Sequence, residues 1–340
     1  MSESRFYHIS RDGKVVPVDS VSDVLAAVKG GGTMWLDFYQ PTKSELMALV
    51  DPLGLHPLAI EDCTDDNQVS KIEDFDHNTF ILFNALSYAD RKLSVDEVGL
   101  FIGDNFLVTI SGHASEARRP LADIDRVVAR EIENARKGPA FLMHVILDHV
   151  VDHKAAAIEA LEDELDAAEE TMMADPSGFD PSDLLRLRRD LLNLRKSFFH
   201  EREILVKICR KDCRFIQDKA IVHYRDIYDH LSKFLELTEA YREIVTTLME
   251  IYLSLLNNRM AKTANDTNAT VRRLTFITTI FMPLTLLAGI GGMSEWSMMT
   301  GPDNWKIAYP FFMIAMGVIG VASYHWLKRI DRNSRSQPGE

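Results

Sequence analysis

Histidine and aspartate recur at four-residue spacing between residues 144 and 153 of this chain. His144, Asp148 and Asp152 lie four residues apart, and His149 and His153 repeat that spacing. On a helix, this spacing places imidazole and carboxylate groups on one face, where they can ligate a transition metal ion. The polar face of an amphipathic helix gives the same pattern, so the spacing alone favours a solvated face over a metal site.

Other motifs that carry chemistry are missing from the sequence. It contains no phosphate-binding glycine loop, no H-E-x-x-H pair and no G-x-S-x-G nucleophile turn, so we predict that the protein is not an enzyme. The acidic run EALEDELDAAEE at 159–170 is typical of a solvated helix face that also gathers cations. Cys63, Cys209 and Cys213 have no metal-ligand spacing and are expected to pack in the interior of a protein from a reducing compartment.

Charge is distributed unevenly along the 340 residues. The formal net charge is −13, which argues against a nucleic-acid partner because a phosphate backbone attracts a basic surface. The segments 274–292 and 307–327, however, hold no Asp, Glu, Lys or Arg and are each about as long as a helix that crosses a bilayer. We therefore predict two transmembrane helices, anchored at the interfaces by aromatic residues: Trp296, Trp305, Tyr309, Tyr324 and Trp326.

The basic residues beside the two segments predict their orientation. Arg272 and Arg273 precede the first segment, and four basic residues follow the second, whereas the loop between them holds only Lys306. Because basic residues are retained on the cytoplasmic side, we expect both termini to be cytoplasmic and the loop to be external. The expected location is the inner or plasma membrane, with the lipid bilayer as a partner.

The remaining chain predicts an α+β membrane protein. The predicted divisions are a cytoplasmic α/β domain at 1–140, long cytoplasmic helices at 141–272, a first span at 273–292, an external loop at 293–306, a second span at 307–327 and a basic tail at 328–340. Strand-like runs are found at 5–9, 14–18, 33–39, 79–86, 97–103 and 106–111, and short helical runs at 20–28 and 42–50. Long helices are predicted from 141 to 173, from 184 to 209, and from about 216 through the first span.

The first span has an unusual polar stripe. Spacings of three and four residues place a series of residues on one face: Asn268, Val271 or Arg272, Thr275, Thr279, Met282, Leu286 and Gly289. Such a stripe can face identical helices around an axis, or it can be an ordinary helix contact through small residues. The spacing alone does not choose between these two arrangements. Pro283 is expected to kink or loosen the helix.

Four stretches together resemble the CorA family of divalent-cation channels and their zinc-transporting ZntB relatives. They read HPLAIEDC at 56–63, KIEDFDHNTFILFNAL at 71–86, DEVGLFIGDNFLVTI at 96–110 and TIFMPLTLLAGI at 279–290. The resemblance implies a homopentamer with a funnel of long helices, a pore formed by five copies of the first span, and an outer ring of second spans. The pore-facing positions that it implies are Asn268, Val271, Leu274, Met282 and Gly289.

The sequence departs from this family where the first span ends. The family carries Gly-Met-Asn there, and this chain has Gly292, Met293 and Ser294, followed by Glu295. In the family, the asparagine carbonyls meet a hydrated cation, which suits magnesium because it holds its inner waters tightly. A serine hydroxyl is shorter and can also donate, so magnesium selectivity is in question at this position. Five copies of Glu295 would place a ring of carboxylates at the outer mouth.

The resemblance also implies regulation by intracellular cations bound between neighbouring subunits. The acids nominated by position are Asp90, Asp226 and Glu250. The main prediction is a channel for Mg²⁺, with Zn²⁺, Co²⁺ and Ni²⁺ as further candidate ions, and with no cofactor apart from the cation itself. The alternatives are a zinc or broad-specificity transporter of the ZntB type and a non-conducting, membrane-anchored sensor or assembly protein.

Overall fold

The computed structural model describes residues 4–28, 31–65, 68–112, 119–292, 301 and 304–335. The chain divides into two compact units, Met1–Tyr252 and Leu253–Glu340. We call them the N-terminal unit and the C-terminal unit.

A mixed sheet forms the centre of the N-terminal unit. Its seven strands are β1 Arg5–Ile9, β2 Val15–Val18, β3 Thr33–Tyr39, β4 Lys71–Asp74, β5 Thr79–Ala89, β6 Lys92–Ile102 and β7 Phe106–Ser111, in the order β2-β1-β3-β7-β6-β5-β4. Neighbouring strands are antiparallel except for the parallel pair β3 and β7. The six predicted strands are confirmed. Edge strand β4 escaped prediction because its sequence KIED is short and holds a single apolar residue.

Short helices cover one face of the sheet. They are α1 Val21–Val28, α2 Lys43–Met47, α3 Val50–Leu53 and α4 Pro57–Asp62. Alternation along β3 directs Met34, Leu36 and Phe38 into the core on this face, while Trp35 joins the core on the opposite face. The single helix predicted at 42–50 is divided into α2 and the start of α3. Helix α2 begins with a capping box between Thr42 and Glu45.

Two short helices, followed by three long ones, pack on the side of the opposite face. They are α5 Ile124–Arg130, α6 Ile132–Ala135, α7 Pro139–Ala174, α8 Ser182–Cys209 and α9 Ile221–Gly291. The predicted helices at 141–173 and 184–209 are confirmed as α7 and α8, and the Asp180 side chain accepts a hydrogen bond from the backbone N–H of Ser182 at 2.9 Å, at the start of α8. Buried residues of α9 recur every three or four positions as far as Leu248, which buries one stripe of this helix against the core.

The C-terminal unit contains the remainder of α9 and α10, which runs from Trp305 to Arg335. Both helices are long and apolar enough to cross a membrane, with mean hydropathy of 1.8 and 1.7 in their most apolar windows. They pack side by side in opposite directions: a Cβ atom at Gly291 would clash with the Phe312 ring, and one at Gly320 would contact Leu284. Helix α9 is continuous through Pro283, so this proline does not end the span.

Candidate functional site

Threonine hydroxyls of the first span bond to their own helix. Thr275 donates to the Val271 carbonyl at 2.9 Å, and Thr285 donates to the Phe281 carbonyl at 2.8 Å. Thr278 likewise donates to the carbonyl of Leu274 at 3.0 Å. A hydroxyl that bonds one turn back needs no other partner, so these threonines are compatible with lipid or with a neighbouring helix.

The second span covers one face of the first. The residues of α9 that are half-buried within the span recur at three- and four-residue spacing: Phe276, Thr279, Ile280, Pro283, Leu284, Leu287 and Gly291. Leu284 and Gly291 contact α10 directly. At about 100° per residue, all of these except Thr279 fall within an arc of about 100°. This arc is the face of the first span that α10 occupies.

The nominated pore positions lie on a different face. Met282 is 73% exposed, Leu274 is 61% exposed and Val271 is 55% exposed, and Asn268, Thr275 and Gly289 are also exposed. Apart from the adjacent residues and backbone of its own helix, no atom of the described residues lies within 4 Å of the position that a Cβ atom at Gly289 would take. Helical geometry places all six within an arc of about 120° that does not overlap the face toward α10.

Thr279 is the exception among the nominated positions. It is half-buried and lies at the margin between the uncovered face and the face toward α10. Periodicity placed it in the stripe because three- and four-residue spacings tolerate a drift around the helix. The presence of α10 resolves this ambiguity, since it leaves Met282 uncovered and partly covers Thr279.

The nominated entrance lies almost entirely outside the described residues. Met293, Ser294 and Glu295 are not among the described residues. Gly292 is described, and its backbone N–H donates to the Ala288 carbonyl at 3.0 Å, which completes the last turn of α9. The roles predicted for these four residues stay predictions.

Asp90 lies at the tip of the hairpin formed by β5 and β6. Ala89 pairs with Lys92, so Asp90 and Arg91 form a two-residue turn, with φ angles of 51° and 61°. Positive φ at both positions suits the right-handed twist of a tight hairpin, and aspartate is one of the few residues that tolerate it. Asp90 is exposed there.

Ionic contacts hold this hairpin tip against α7 and α8. The Arg91 guanidinium pairs with Glu164 of α7 and, at 2.9 Å, with Asp183 of α8. Arg186 also pairs with Glu164 and donates to the Arg91 carbonyl at 3.0 Å. Because four charged groups fix the turn, the position of Asp90 is set by two helices as well as by the sheet.

The other two nominated acids lie on α9. Asp226 and Glu250 are both exposed. The Asp226 carboxylate is close enough to α7 to contribute, after burial and Asp152, to raising the pKa of Asp148. Across the part of the chain that the structure describes, no group of three or more His, Cys, Asp or Glu side chains is arranged to hold a metal ion. The nominated acids therefore do not form a site within one chain.

The histidine and aspartate run on α7 has two environments. His144 packs against His223, with ring centroids 5.0 Å apart, and against Tyr224. Burial, and then the neighbouring His223, lower the pKa of His144 to about 4, so this ring is neutral at pH 7. His149 and His153 instead lie beside a cavity.

A buried ion pair joins the sheet to α7 and α8, and sequence reasoning missed it. Lys154 and Glu201 are both fully buried and paired. The backbone N–H of Asn84 donates to Glu201 at 3.0 Å, and the Lys154 ammonium lies 4.3 Å from the centre of the Phe83 ring. One signal was available: both charges occupy positions on the apolar stripes of their helices, where a solvated residue is not expected.

A second buried network crosses the parallel pair of strands. Asp37 accepts hydrogen bonds from Thr109 at 2.8 Å and from Arg119 at 2.9 Å, and Trp35 donates to Thr109 at 3.2 Å. Burial raises the pKa of the Asp37 carboxyl, and these donors oppose that effect. Sequence reasoning missed this network, because a single charged residue within a strand sequence does not indicate that its side chain is buried and hydrogen-bonded.

Comparison with known proteins agrees with this architecture. Residues 30–329 match the family profile described as CorA-like Mg²⁺ transporter protein. The chain is 32% identical to the putative metal ion transporter YfjQ of Bacillus subtilis over 293 residues, which cover 86% of this chain and 87% of the relative. It is 31% identical to the cobalt/magnesium transport protein CorA of Thermotoga maritima over 279 residues, covering 81% and 76%.

Solved structures show the same fold. The complete CorA magnesium transporter from Methanocaldococcus jannaschii superimposes with a TM-score of 0.70 at 23% identity, covering 96% of this chain and 97% of that one. The full-length CmaX protein gives a TM-score of 0.68 at 19% identity, with the same two coverages. The family consists of transporters, so the expectation that the protein is not an enzyme is confirmed. This chain is a divalent metal-ion transporter that belongs to the CorA-like Mg²⁺ transporter family.

Proposed function

We propose that the chain forms a homopentameric channel in the inner or plasma membrane, with both termini in the cytoplasm, that conducts divalent cations inward. The observation that carries the proposal is the uncovered face of the first span, where Val271, Leu274 and Met282 are more than half exposed. This face carries no charge and points away from α10, so five copies arranged around an axis would cover it. The Gly289 position leaves room for close approach at the axis.

The chemistry of the stripe suits a hydrated ion. Its polar groups are the amide of Asn268, the backbone at Gly289 and the hydroxyls of Thr275, Thr278 and Thr285, none of which carries charge. Mg²⁺ loses its inner waters reluctantly, so a pore with few ligands favours passage of the ion with those waters. Leu274 and Met282 are the apolar constrictions at which expulsion of water would close the pore.

Selectivity in the proposed channel begins at the external loop. Glu295 in five copies attracts divalent cations by charge. Ser294 offers hydroxyl groups at the position where other members of the family carry asparagine amides. We expect Ser294→Asn to raise the ratio of Mg²⁺ flux to Co²⁺ flux by up to about tenfold, equivalent to ~1.4 kcal/mol. An unchanged ratio contradicts this account of the loop.

Regulation is proposed to act through cations bound between subunits. Asp90 at a fixed hairpin tip and Asp226 on α9 are exposed and lack a metal-binding partner group within the described part of their own chain, with Glu250 as a further candidate nearer the membrane. A cation that binds only the closed assembly stabilises it in proportion to the logarithm of its concentration. Millimolar internal Mg²⁺ would therefore close the channel.

Cysteine substitution tests which face lines the pore. Burial raises the pKa of Cys63 and raises that of Cys213 to about 12, so neither native thiol reacts readily, and Cys209→Ser removes the third. In that background we expect Met282→Cys to lose Mg²⁺ influx when treated with a cationic methanethiosulfonate reagent. Ile277→Cys is the matched control, since Ile277 is 56% exposed but lies on another face. Equal responses of the two variants contradict the proposed pore face.

Flux in liposomes separates the candidate functions. The full-length protein is reconstituted, and influx of Mg²⁺, Zn²⁺, Co²⁺ and Ni²⁺ is followed with internal dyes. Mg²⁺ influx above that of empty liposomes supports the proposal. Zn²⁺ influx without Mg²⁺ influx supports a ZntB-type transporter, and no influx of any ion contradicts conduction altogether.

The regulatory acids are tested in the same liposomes. Asp90→Ala combined with Asp226→Ala should weaken inhibition by internal Mg²⁺. Asp229→Ala is the control, because Asp229 is also exposed on α9, one turn further along. Unaltered inhibition in the double variant removes Asp90 and Asp226 from the proposed mechanism.

A further inference from the structure

His149 and His153 line a cavity in the N-terminal unit that the proposed function does not use. The cavity holds about 340 Å³ and lies between α7, the hairpin of β5 and β6, and the segment that leads into α5. This volume accommodates a metal ion together with several waters at about 30 Å³ each. Its polar walls include six side chains: Tyr88, Asp96, Arg119, Asp123, His149 and His153.

The two imidazole rings are placed one turn apart on the same face of α7. Their centroids lie 4.4 Å apart, and their planes are inclined at 80°. With metal–nitrogen bonds of about 2.1 Å, two imidazoles that bind one ion have centroids about 4.5 to 5.3 Å apart. The observed separation lies just below this range, so the rings must move slightly apart and turn to aim at one ion.

A backbone contact fixes which nitrogen of His153 is available. Its Nδ1 lies 2.9 Å from the carbonyl oxygen of His149, which can only accept, so Nδ1 carries the proton. The lone pair is then on Nε2. A ligating histidine in a metal site commonly donates its other N–H to a backbone carbonyl in this way, because the bond fixes the tautomer and orients the ring.

The charge around the pair also suits a cation. Asp152 and Asp123 are close enough to act on His149 with negative charge, and Arg130 opposes them. The cation in the cavity wall, Arg119, is paired with Asp37 at 2.9 Å.

We propose that this cavity binds one divalent transition-metal ion, Zn²⁺, Co²⁺ or Ni²⁺, through Nε2 of His153 and a ring nitrogen of His149, with water and the Asp123 carboxylate completing the coordination. Imidazole ligands favour these borderline cations over Mg²⁺, which prefers oxygen ligands. The described residues hold no preformed group of three ligands, and the Asp123 carboxylate is paired with Arg126 at 3.5 Å, so Asp123 would join by exchanging this partner or through water. Binding would tie α7 to the segment before α5, within one chain.

Such a site would give the transporter a metal-binding site that Mg²⁺ does not occupy. It differs from the proposed subunit-bridging acids in ligand chemistry, since it uses nitrogen, and in location, since it is complete within each chain and needs no contact between subunits. An ion held in a pore on a fivefold axis would bind once per pentamer. A site in the N-terminal unit would bind once per chain, so the two are distinguishable whether or not the protein conducts.

Metal binding to the full-length protein in detergent tests the inference. After removal of metals, Co²⁺ is titrated in the presence of excess Mg²⁺ by equilibrium dialysis and visible absorption. One Co²⁺ per chain is expected, with its affinity at least about tenfold lower in His149→Ala and in His153→Ala. The matched control is His144→Ala with His223→Ala, a second close pair of rings that does not line this cavity.

Several results would overturn the inference. They are wild-type affinity in both His149→Ala and His153→Ala, loss of the bound ion in the control variant, and displacement of Co²⁺ by Mg²⁺. Circular dichroism and elution volume establish that each variant is folded. If the substituted chains do not fold, X-ray absorption of the Zn²⁺-loaded wild type decides: scattering from two imidazoles supports the site, and a shell of oxygen alone rejects it.

Discussion

The two halves of α9 belong to one continuous helix of 71 residues but have opposite surroundings. Nine of its residues are buried, and all of them lie between Ile221 and Leu248. Beyond Leu248, the side chains of α9 include Met282, which is 73% exposed, and Leu286, which is 66% exposed. The part of α9 as far as Tyr252 finds its partners within the N-terminal unit, whereas the membrane span of α9 contacts α10 along one face in the part of the chain that the structure describes.

This difference shows where the chain is complete by itself. A buried leucine on the first half is stabilised by contacts within its own chain. An exposed leucine on the second half would be costly in water, because apolar area carries a penalty of about 25 cal/mol per Å². The stability of this part of α9 therefore depends on lipid and, in the proposed pentamer, on copies of the same helix.

The largest expected effect tests the self-sufficiency of the N-terminal unit. Lys154→Met leaves Glu201 buried without its cation, and breaking one partner of a buried pair costs about 3–5 kcal/mol. The double variant with Glu201→Leu should lose less stability than the sum of the single variants, because no charge is stranded. Lys211→Met is the control, since the Lys211–Asp218 pair is exposed and exposed pairs contribute about 0–1 kcal/mol. Urea unfolding of the full-length protein followed by circular dichroism measures all of them, and equal losses in Lys154→Met and Lys211→Met contradict this account.

A matched pair of leucine substitutions compares the halves of α9 directly. Leu248 is 3% exposed and Leu274 is 61% exposed. We expect Leu248→Ala to lower the free energy of unfolding by about 2–5 kcal/mol whether the subunits are associated or dissociated. Leu274→Ala should cost less than about 1 kcal/mol in dissociated subunits and show its effect in assembly or flux. The free energy of unfolding of both variants is measured in detergents that preserve the subunit assembly and in detergents that separate it. Equal losses for the two variants in separated subunits would refute the comparison.

A charge at the uncovered face should block ion flow in the proposed channel. Met282→Lys would place an ammonium in each copy at mid-span, where five positive charges around the axis repel a divalent cation, and we expect roughly a hundredfold lower flux, equivalent to ~2.7 kcal/mol. Met282→Leu keeps an apolar side chain of similar size and should retain most of the flux. Dye-detected influx into liposomes measures both, after recovery of folded protein has been verified. Wild-type flux through Met282→Lys would exclude this face from the pore.

The smallest expected effect is a pH dependence in the N-terminal unit. Burial lowers the pKa of His144 to about 4, from its usual value of 6.5. The folded state therefore binds fewer protons than the unfolded state between these values, and stability falls as pH decreases from about 6.5 to 4, by less than ~1.4 kcal/mol per pH unit. His144→Phe should flatten this part of the profile. A profile identical to that of the wild type would show that His144 is not responsible.

The sequence predicted the elements of the fold well where hydrophobic spacing was strong. Six strands, the helices α7 and α8, and the uninterrupted run of α9 into the first span follow from periodicity alone. Strand β4 did not, because its pairing with β5 and not its composition makes it a strand. Asp90 could be nominated by position, but its presentation on a turn held by Arg91, Glu164 and Asp183 depends on three segments far apart in the chain.

By itself, the sequence determined two apolar spans, their expected orientation, a polar stripe on the first span and membership of a transporter family, because these properties depend on residue type and local spacing. Tertiary structure decided which face of the first span remains uncovered, since only the packing of α10 separates Met282 from Thr279. It also brought Lys154 to Glu201 and opened a cavity beside His149 and His153. Such contacts depend on where helices and strands distant in the chain come together, which local patterns do not encode.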